Sequence, residues 1–226
     1  MAESRVGVLG GTFNPIHLGH LVLAESFRER LALDRVLFVP AGTPPHKTAR
    51  GLAPVHHRYA MAALAVAGNP AFAVSDVEVR RSGPSYSVDT LEALAAEWPG
   101  ARLFFLMGSD TFLDLPTWRT PERLPTWATL AVGYRAGSDF DPDAPGALAV
   151  LARLGRYTWR RVGADAAGLD AVAPGEVLLV DTRSLPVSAR ELRGVLARGH
   201  SVRYLVPSAV ADYIAQQRLY GETEAG

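Results

Sequence analysis

The stretch Gly10-Gly11-Thr12-Phe13-Asn14-Pro15-Ile16-His17-Leu18-Gly19-His20 decides the fold. Before it, Arg5 to Leu9 is a short apolar run stopped by the glycine pair, which reads as a buried strand. After it, from Gly19, the apolar residues Leu21, Leu23, Ala24, Phe27 and Leu31 recur at helical spacing. Strand, loop and helix in that order open a parallel α/β sheet, and such sheets bind ligands beyond the carboxyl ends of their strands. Gly10 and Gly11 let the backbone approach a ligand closely, and the helix start offers free N–H groups and partial positive charge to a phosphate. His17 and His20 fall on one face of that helix start, with Gly19 between them leaving access open. Two imidazoles can then reach one phosphate chain.

Further along, Val36 to Val39 is a second buried run ended by Pro40, and a helix can run from Pro54 through Ala67 with proline at its first position. Phe72 to Val79 reads as a strand, Val88 to Trp98 as a helix, and Leu103 to Met107, Leu130 to Gly133 and Val177 to Val180 as further strands. Ser188 to Leu196 and Pro207 to Gln217 read as closing helices, with Gly199 just past the end of the first. The expected fold is α/β, a Rossmann-like doubly wound parallel sheet with a small helical C-terminal part (188–217), all in one domain spanning 1–226. Only about 135–175, dominated by Gly, Pro, Asp and Ala, gives intermittent periodicity. Its run Asp139-Phe140-Asp141-Pro142-Asp143 reads as a solvated turn with no function assigned.

Composition narrows the partners. The 226 residues are 48% hydrophobic, enough for a sizeable core and too apolar for intrinsic disorder. Lys+Arg and Asp+Glu number 23 each, so bulk electrostatics do not favour nucleic acid or an anionic membrane, and a polyanion must be small and locally gripped. With no cysteine there is no disulfide, thiolate metal site or cysteine nucleophile. Met1 to Arg5 lacks signal-peptide character and no long apolar run follows, so the expected compartment is the cytoplasm. Neither GxGxxG after the first strand nor GxxxxGK[ST] occurs, which turns the reading away from dinucleotide-binding dehydrogenases and P-loop enzymes. No HExxH surrounds the histidine pair, and no protein metal site is assigned.

Gly10 to His20 closely resembles the signature of the HxGH nucleotidyltransferases, and more narrowly that of bacterial nicotinate-nucleotide adenylyltransferases. Pro44-Pro45-His46-Lys47, Pro84 to Leu91, Gly108-Ser109-Asp110, Leu115-Pro116-Thr117-Trp118 and Val187 to Arg193 resemble that family's successive motifs, in its order. The resemblance implies transfer of AMP from ATP to nicotinate mononucleotide, with Mg²⁺ carried by the ATP. It implies His17 and His20 as catalytic residues. Gly10, Gly11, Thr12, Phe13, Gly108, Asp110, Ser188 and Arg193 would bind ATP, and Asn14, His46, Lys47, Thr90 and Trp118 the mononucleotide. Lys47 is the only lysine in the chain. Ser188 and Glu191 also form a capping box, and Ala189-Arg190 depart from the family's hydroxyl-bearing pattern. The alternative is another HxGH adenylyltransferase with nicotinamide mononucleotide or phosphopantetheine as acceptor, the pantetheine-phosphate type fitting less well because those chains are shorter and lack the PPHK and SYxxDT segments; a non-catalytic nucleotide binder fits less well because both histidines are intact. Nucleic acid and membrane are not expected as partners, and a homo-oligomer is left open.

Overall fold

The computed structural model describes residues 3–45, 51–135, 138–163, 169 and 172–221. Its strands are β1 (Ser4–Gly11), β2 (Arg35–Pro40), β3 (Phe72–Val74), β4 (Ala101–Gly108), β5 (Thr129–Tyr134), β6 (Thr158–Arg161) and β7 (Glu176–Asp181). They form one seven-stranded sheet in the order β3-β2-β1-β4-β5-β7-β6. The expected Rossmann-like α/β architecture is the observed one. The helices are α1 (Leu18–Leu31), α2 (Val55–Val66), α3 (Ser87–Glu97), α4 (Ser109–Asp114), α5 (Pro145–Gly155), α6 (Ala189–Ala197) and α7 (Ser208–Gln216).

The chain packs as two compact units. One comprises Met1–Gly10, Leu23–Leu37 and Tyr86–Arg183. Its strands pair in parallel, β1 with β4, β4 with β5, β5 with β7 and β6 with β7. The continuous apolar runs Leu103 to Met107 and Val177 to Val180 are buried, as expected of strands covered on both faces. The second unit comprises Gly11–Val22, Phe38–Ser85 and Ser184–Gly226. Within it α2 packs on α7, and Met61, Ala62, Val210 and Ile214 from the two helices are all buried.

Several elements depart from the sequence expectation. The strand expected over Phe72–Val79 stops at Val74, because the Ser75 hydroxyl accepts the Val77 N–H at 3.3 Å and the chain turns, with Arg80 N–H bonding the Asp76 carbonyl. The stretch 135–175 holds α5 and β6. Pro145 opens α5, and Ala147, Val150, Leu151 and Leu154 form a buried stripe at helical spacing. Trp159 in β6 packs on Phe112 at 4.9 Å and donates its indole N–H to the Pro142 carbonyl at 2.8 Å. The Asp-rich run is a turn in which Asp141 accepts the Asp143 N–H, as read from sequence.

Candidate active site

The loop leaving β1 is tightly determined. Phe13 takes a left-handed φ of +47°, unusual for an aromatic residue, and its ring is buried. A β-carbon at Gly11 would lie 2.8 Å from that ring, so the second glycine is required by close packing. The Phe13 ring stands edge-on to His20 with centroids 5.0 Å apart and leans on Phe38 at 5.9 Å. At the helix start the His17 and His20 rings are stacked, centroids 3.7 Å apart and 26° between planes. The His17 backbone N–H donates to His20 Nδ1 at 3.2 Å, so neutral His20 carries its proton on Nε2. A β-carbon at Gly19 would lie 3.0 Å from His17 Nδ1. Glycine there leaves room for the stacked pair, and the Leu18 N–H is taken by the Leu205 carbonyl at 2.9 Å.

His17 is 6% exposed and its Nδ1 is buried without a partner among the described residues. Burial lowers its pKa from 6.5 to about 4, so the ring is neutral near pH 7. The folded state thus binds fewer protons than the unfolded chain between those two values. This contribution to stability is fully present above pH 6.5 and is lost as pH falls toward 4. Between pH 7 and pH 5 the loss from this group is about 2 kcal/mol. A His17→Gln variant should lack that share of the acid sensitivity in paired urea titrations, and equal sensitivity in the two proteins would remove His17 as its source.

Asn14 is a buried junction in the same unit. Its carbonyl accepts from Arg193 at 2.8 Å; its Oδ1 accepts the Ala53 N–H at 3.0 Å and the Tyr220 hydroxyl at 2.7 Å; its Nδ2 donates to the Gly51 carbonyl at 2.8 Å. The Asn14 amide is therefore largely committed to the protein, with one N–H left over. Arg193 also holds the Ala189 carbonyl at 3.1 Å, and the Ser188 hydroxyl caps α6 by accepting the Glu191 N–H at 3.2 Å, as the capping box requires. Gly199, at φ +71°, follows the end of α6 as expected.

Arg58 was not singled out in the sequence. It is 1% exposed, and its guanidinium donates to the carbonyls of Ala53, Thr12, Ala41 and Gly42, using four of its five N–H groups. Burial lowers its pKa, while Tyr220 and Glu78 act in the opposite direction. A fixed cation thus ties the loop after β1 to the chain after β2. The signal in the sequence was an arginine sharing a helical face with Met61 and Ala62.

The other unit carries Gly10, Gly108, Asp110, Thr90 and Trp118. Parallel pairing of β1 with β4, Val8 opposite Phe105, brings Gly10 and Gly108 out at the same sheet edge, and Asp110 is exposed in the first turn of α4. Trp118 is half-buried, its ring 6.2 Å from Phe105. Thr90 is buried and its hydroxyl donates to the Tyr86 carbonyl at 3.1 Å, so that O–H is already engaged. The Arg119 guanidinium lies 4.6 Å over the Tyr86 ring and brings the 86–90 and 118–119 segments together. His46 and Lys47 lie outside the described residues.

Comparison with known proteins gives the family. Residues 8–195 match the cytidylyltransferase-like family. A Thermomicrobium roseum protein is 44% identical over 222 residues, covering 98% of this chain and 94% of its own, and a Geobacter sulfurreducens protein is 45% identical over 217 residues, covering 96% and 98%. Both carry the name "probable nicotinate-nucleotide adenylyltransferase". The chain belongs to the nicotinate-nucleotide adenylyltransferases, within the cytidylyltransferase-like family. The fold is also that of a Plasmodium falciparum nicotinic acid mononucleotide adenylyltransferase solved with NaAD, at TM-score 0.70 and 18% identity over 96% of this chain and 97% of that one.

Nucleotidyltransferases of this kind use a divalent metal together with ATP. Among the described residues of this nicotinate-nucleotide adenylyltransferase family member, no group of three or more His, Asp or Glu could hold such an ion. No helix among the described residues is long and apolar enough to cross a membrane.

Proposed function

We propose that this chain transfers the adenylyl group of Mg²⁺-bound ATP to nicotinate mononucleotide, giving nicotinate adenine dinucleotide and pyrophosphate, as one catalytic domain over 1–226 in the cytoplasm. The observation that carries the reading is the stacked His17–His20 pair in the loop after the first strand, with His20 Nδ1 accepting the His17 N–H so that the neutral ring carries its proton on Nε2. A phosphate oxygen of the mononucleotide attacks the α-phosphorus in line, and the bond to the β-phosphate bridging oxygen breaks as the new anhydride bond forms. Bound Mg²⁺ would neutralise triphosphate charge. The nucleophile is already an anion near neutral pH, so the protein contributes positioning and hydrogen-bond donors rather than a strong base. His20 donates from Nε2; neutral His17, with Nδ1 unpaired, donates from its own Nε2. Gly10, Gly11, Thr12, Phe13, Gly108, Asp110, Ser188 and Arg193 are assigned to ATP, and Asn14, His46, Lys47, Thr90 and Trp118 to the mononucleotide.

The nicotinate carboxylate accepts hydrogen bonds only, so donors and positive charge favour it over the amide. With the Thr90 hydroxyl committed to Tyr86, backbone N–H groups and the Arg119 cation beside Tyr86 are the supporting features in that unit. Each mismatched donor costs about 1–3 kcal/mol, roughly 5- to 150-fold. The test is pyrophosphate release from Mg·ATP with nicotinate mononucleotide, nicotinamide mononucleotide and phosphopantetheine as acceptors. Release with the first at an efficiency at least about fivefold above the second is expected. Near-equal values would remove the carboxylate argument, and no release with any acceptor would make the chain a nucleotide binder without chemistry.

A further inference from the structure

The turn after α7 reaches back to the nucleotide loop. Gln217, Arg218 and Leu219 N–H groups bond the carbonyls of Tyr213, Ala215 and Ile214, which winds the chain so that the Tyr220 hydroxyl meets Asn14 Oδ1 at 2.7 Å. Arg218 and Tyr220 both have left-handed φ, +51° and +64°. A bulky residue holds such a conformation at a cost of order 1 kcal/mol, so the surrounding contacts must determine it. Burial raises the Tyr220 pKa, opposed by the nearby Arg193 and Arg58 cations, and the hydroxyl stays a donor across the physiological range.

Asn14 Oδ1 is shared by the Ala53 N–H and the Tyr220 hydroxyl. A flipped amide would set its NH₂ against the Ala53 N–H and its oxygen against the Gly51 carbonyl, and the Tyr220 hydroxyl adds a second donor to Oδ1 in the observed orientation. The flip-resistant orientation also keeps Nδ2 on the Gly51 carbonyl. Asn14 stands three residues before His17, so its orientation fixes the path of the chain into the stacked imidazoles. We infer that Tyr220 is a positioning residue for adenylyl transfer, acting through Asn14 to hold the loop that aims His17 and His20. The inference rests on the proposed reaction for its kinetic readout and on loop order for its second readout.

Tyr220→Phe keeps the ring and removes only the hydroxyl. Its kcat should fall about tenfold, with the Michaelis constants for ATP and mononucleotide changed less than about twofold, because small misplacement of reacting groups penalises turnover before binding. Hydrogen exchange at the backbone amides of Phe13, Ile16 and His17 should quicken in the same variant, measured without nucleotide, while amides of β4 keep their wild-type protection. In an Asn14→Ala background the added Tyr220→Phe change should have no further effect on kcat, since the two act as one unit. All three results are required. An unchanged kcat, a rise in a Michaelis constant alone, multiplicative effects in the double variant, or unchanged exchange would each overturn the inference. If the wild-type protein releases no pyrophosphate with any acceptor, the proposed reaction fails by itself, and the exchange measurement alone then decides whether Tyr220 orders the loop.

Discussion

Replacing His20 with alanine is expected to lower turnover about 100- to 1000-fold, the usual cost of removing one donor aimed at developing transition-state charge. The variant should fold, because the His20 side chain is partly exposed and its neighbour Phe13 remains anchored against Phe38. His17→Ala should cost a similar factor. Its ring is the surface on which His20 stacks, 3.7 Å away, so its removal frees His20 as well as deleting a donor. The double variant should then be little worse than either single one, as residues acting as a unit give non-additive losses. Single-turnover rates of pyrophosphate formation check this. Retention of more than about a third of wild-type turnover, far short of that scale, would remove the assigned role from the residue concerned.

The second large effect concerns stability. Arg58→Ala would strip the donors from the carbonyls of Ala53, Thr12, Ala41 and Gly42 and leave space where a fully buried side chain had been. Unsatisfied buried acceptors cost about 1–3 kcal/mol each, and partial relaxation with water entry brings the expected total to roughly 4 kcal/mol. Arg58→Lys should recover only a minority of it, because an ammonium on a flexible stem cannot serve carbonyls on three separate segments as a planar fork does. Urea denaturation of the three proteins measures both quantities. A loss under about 1 kcal/mol for the alanine variant would mean that solvent replaces the guanidinium without penalty.

The parts of this protein that could be read from sequence are those whose signal is local. The strand, glycine pair and helix around Gly10–His20 are contiguous, and Ser188 with Glu191 has capping-box spacing, of which the Ser188 N-cap bond is formed. Arg58 could not be recognised in that way, since an arginine directly after a histidine pair at a helix start reads as solvated charge until its acceptors are known. Those acceptors come from segments up to 46 residues away. Tyr220 meets Asn14 across 206 residues, and no local pattern announces such a contact. α5 is a different case: the stripe Ala147, Val150, Leu151 and Leu154 was present, and the surrounding Gly, Pro and Asp obscured it. At Phe72–Val79 a side-chain hydroxyl at Ser75 competed with the ladder that β-branched residues would otherwise have extended.

The long reach of the Asn14 contacts bears on how the protein is made. Every described strand of the sheet lies before residue 182, whereas the loop that holds Asn14 waits for Arg193 and then Tyr220, 179 and 206 residues later. Domains fold as the chain emerges, and contacts of such separation close last. A nascent chain can therefore complete its sheet while the loop that would hold nucleotide is still unbraced. The bracing of that loop would arrive only with the segments that carry Arg193 and Tyr220.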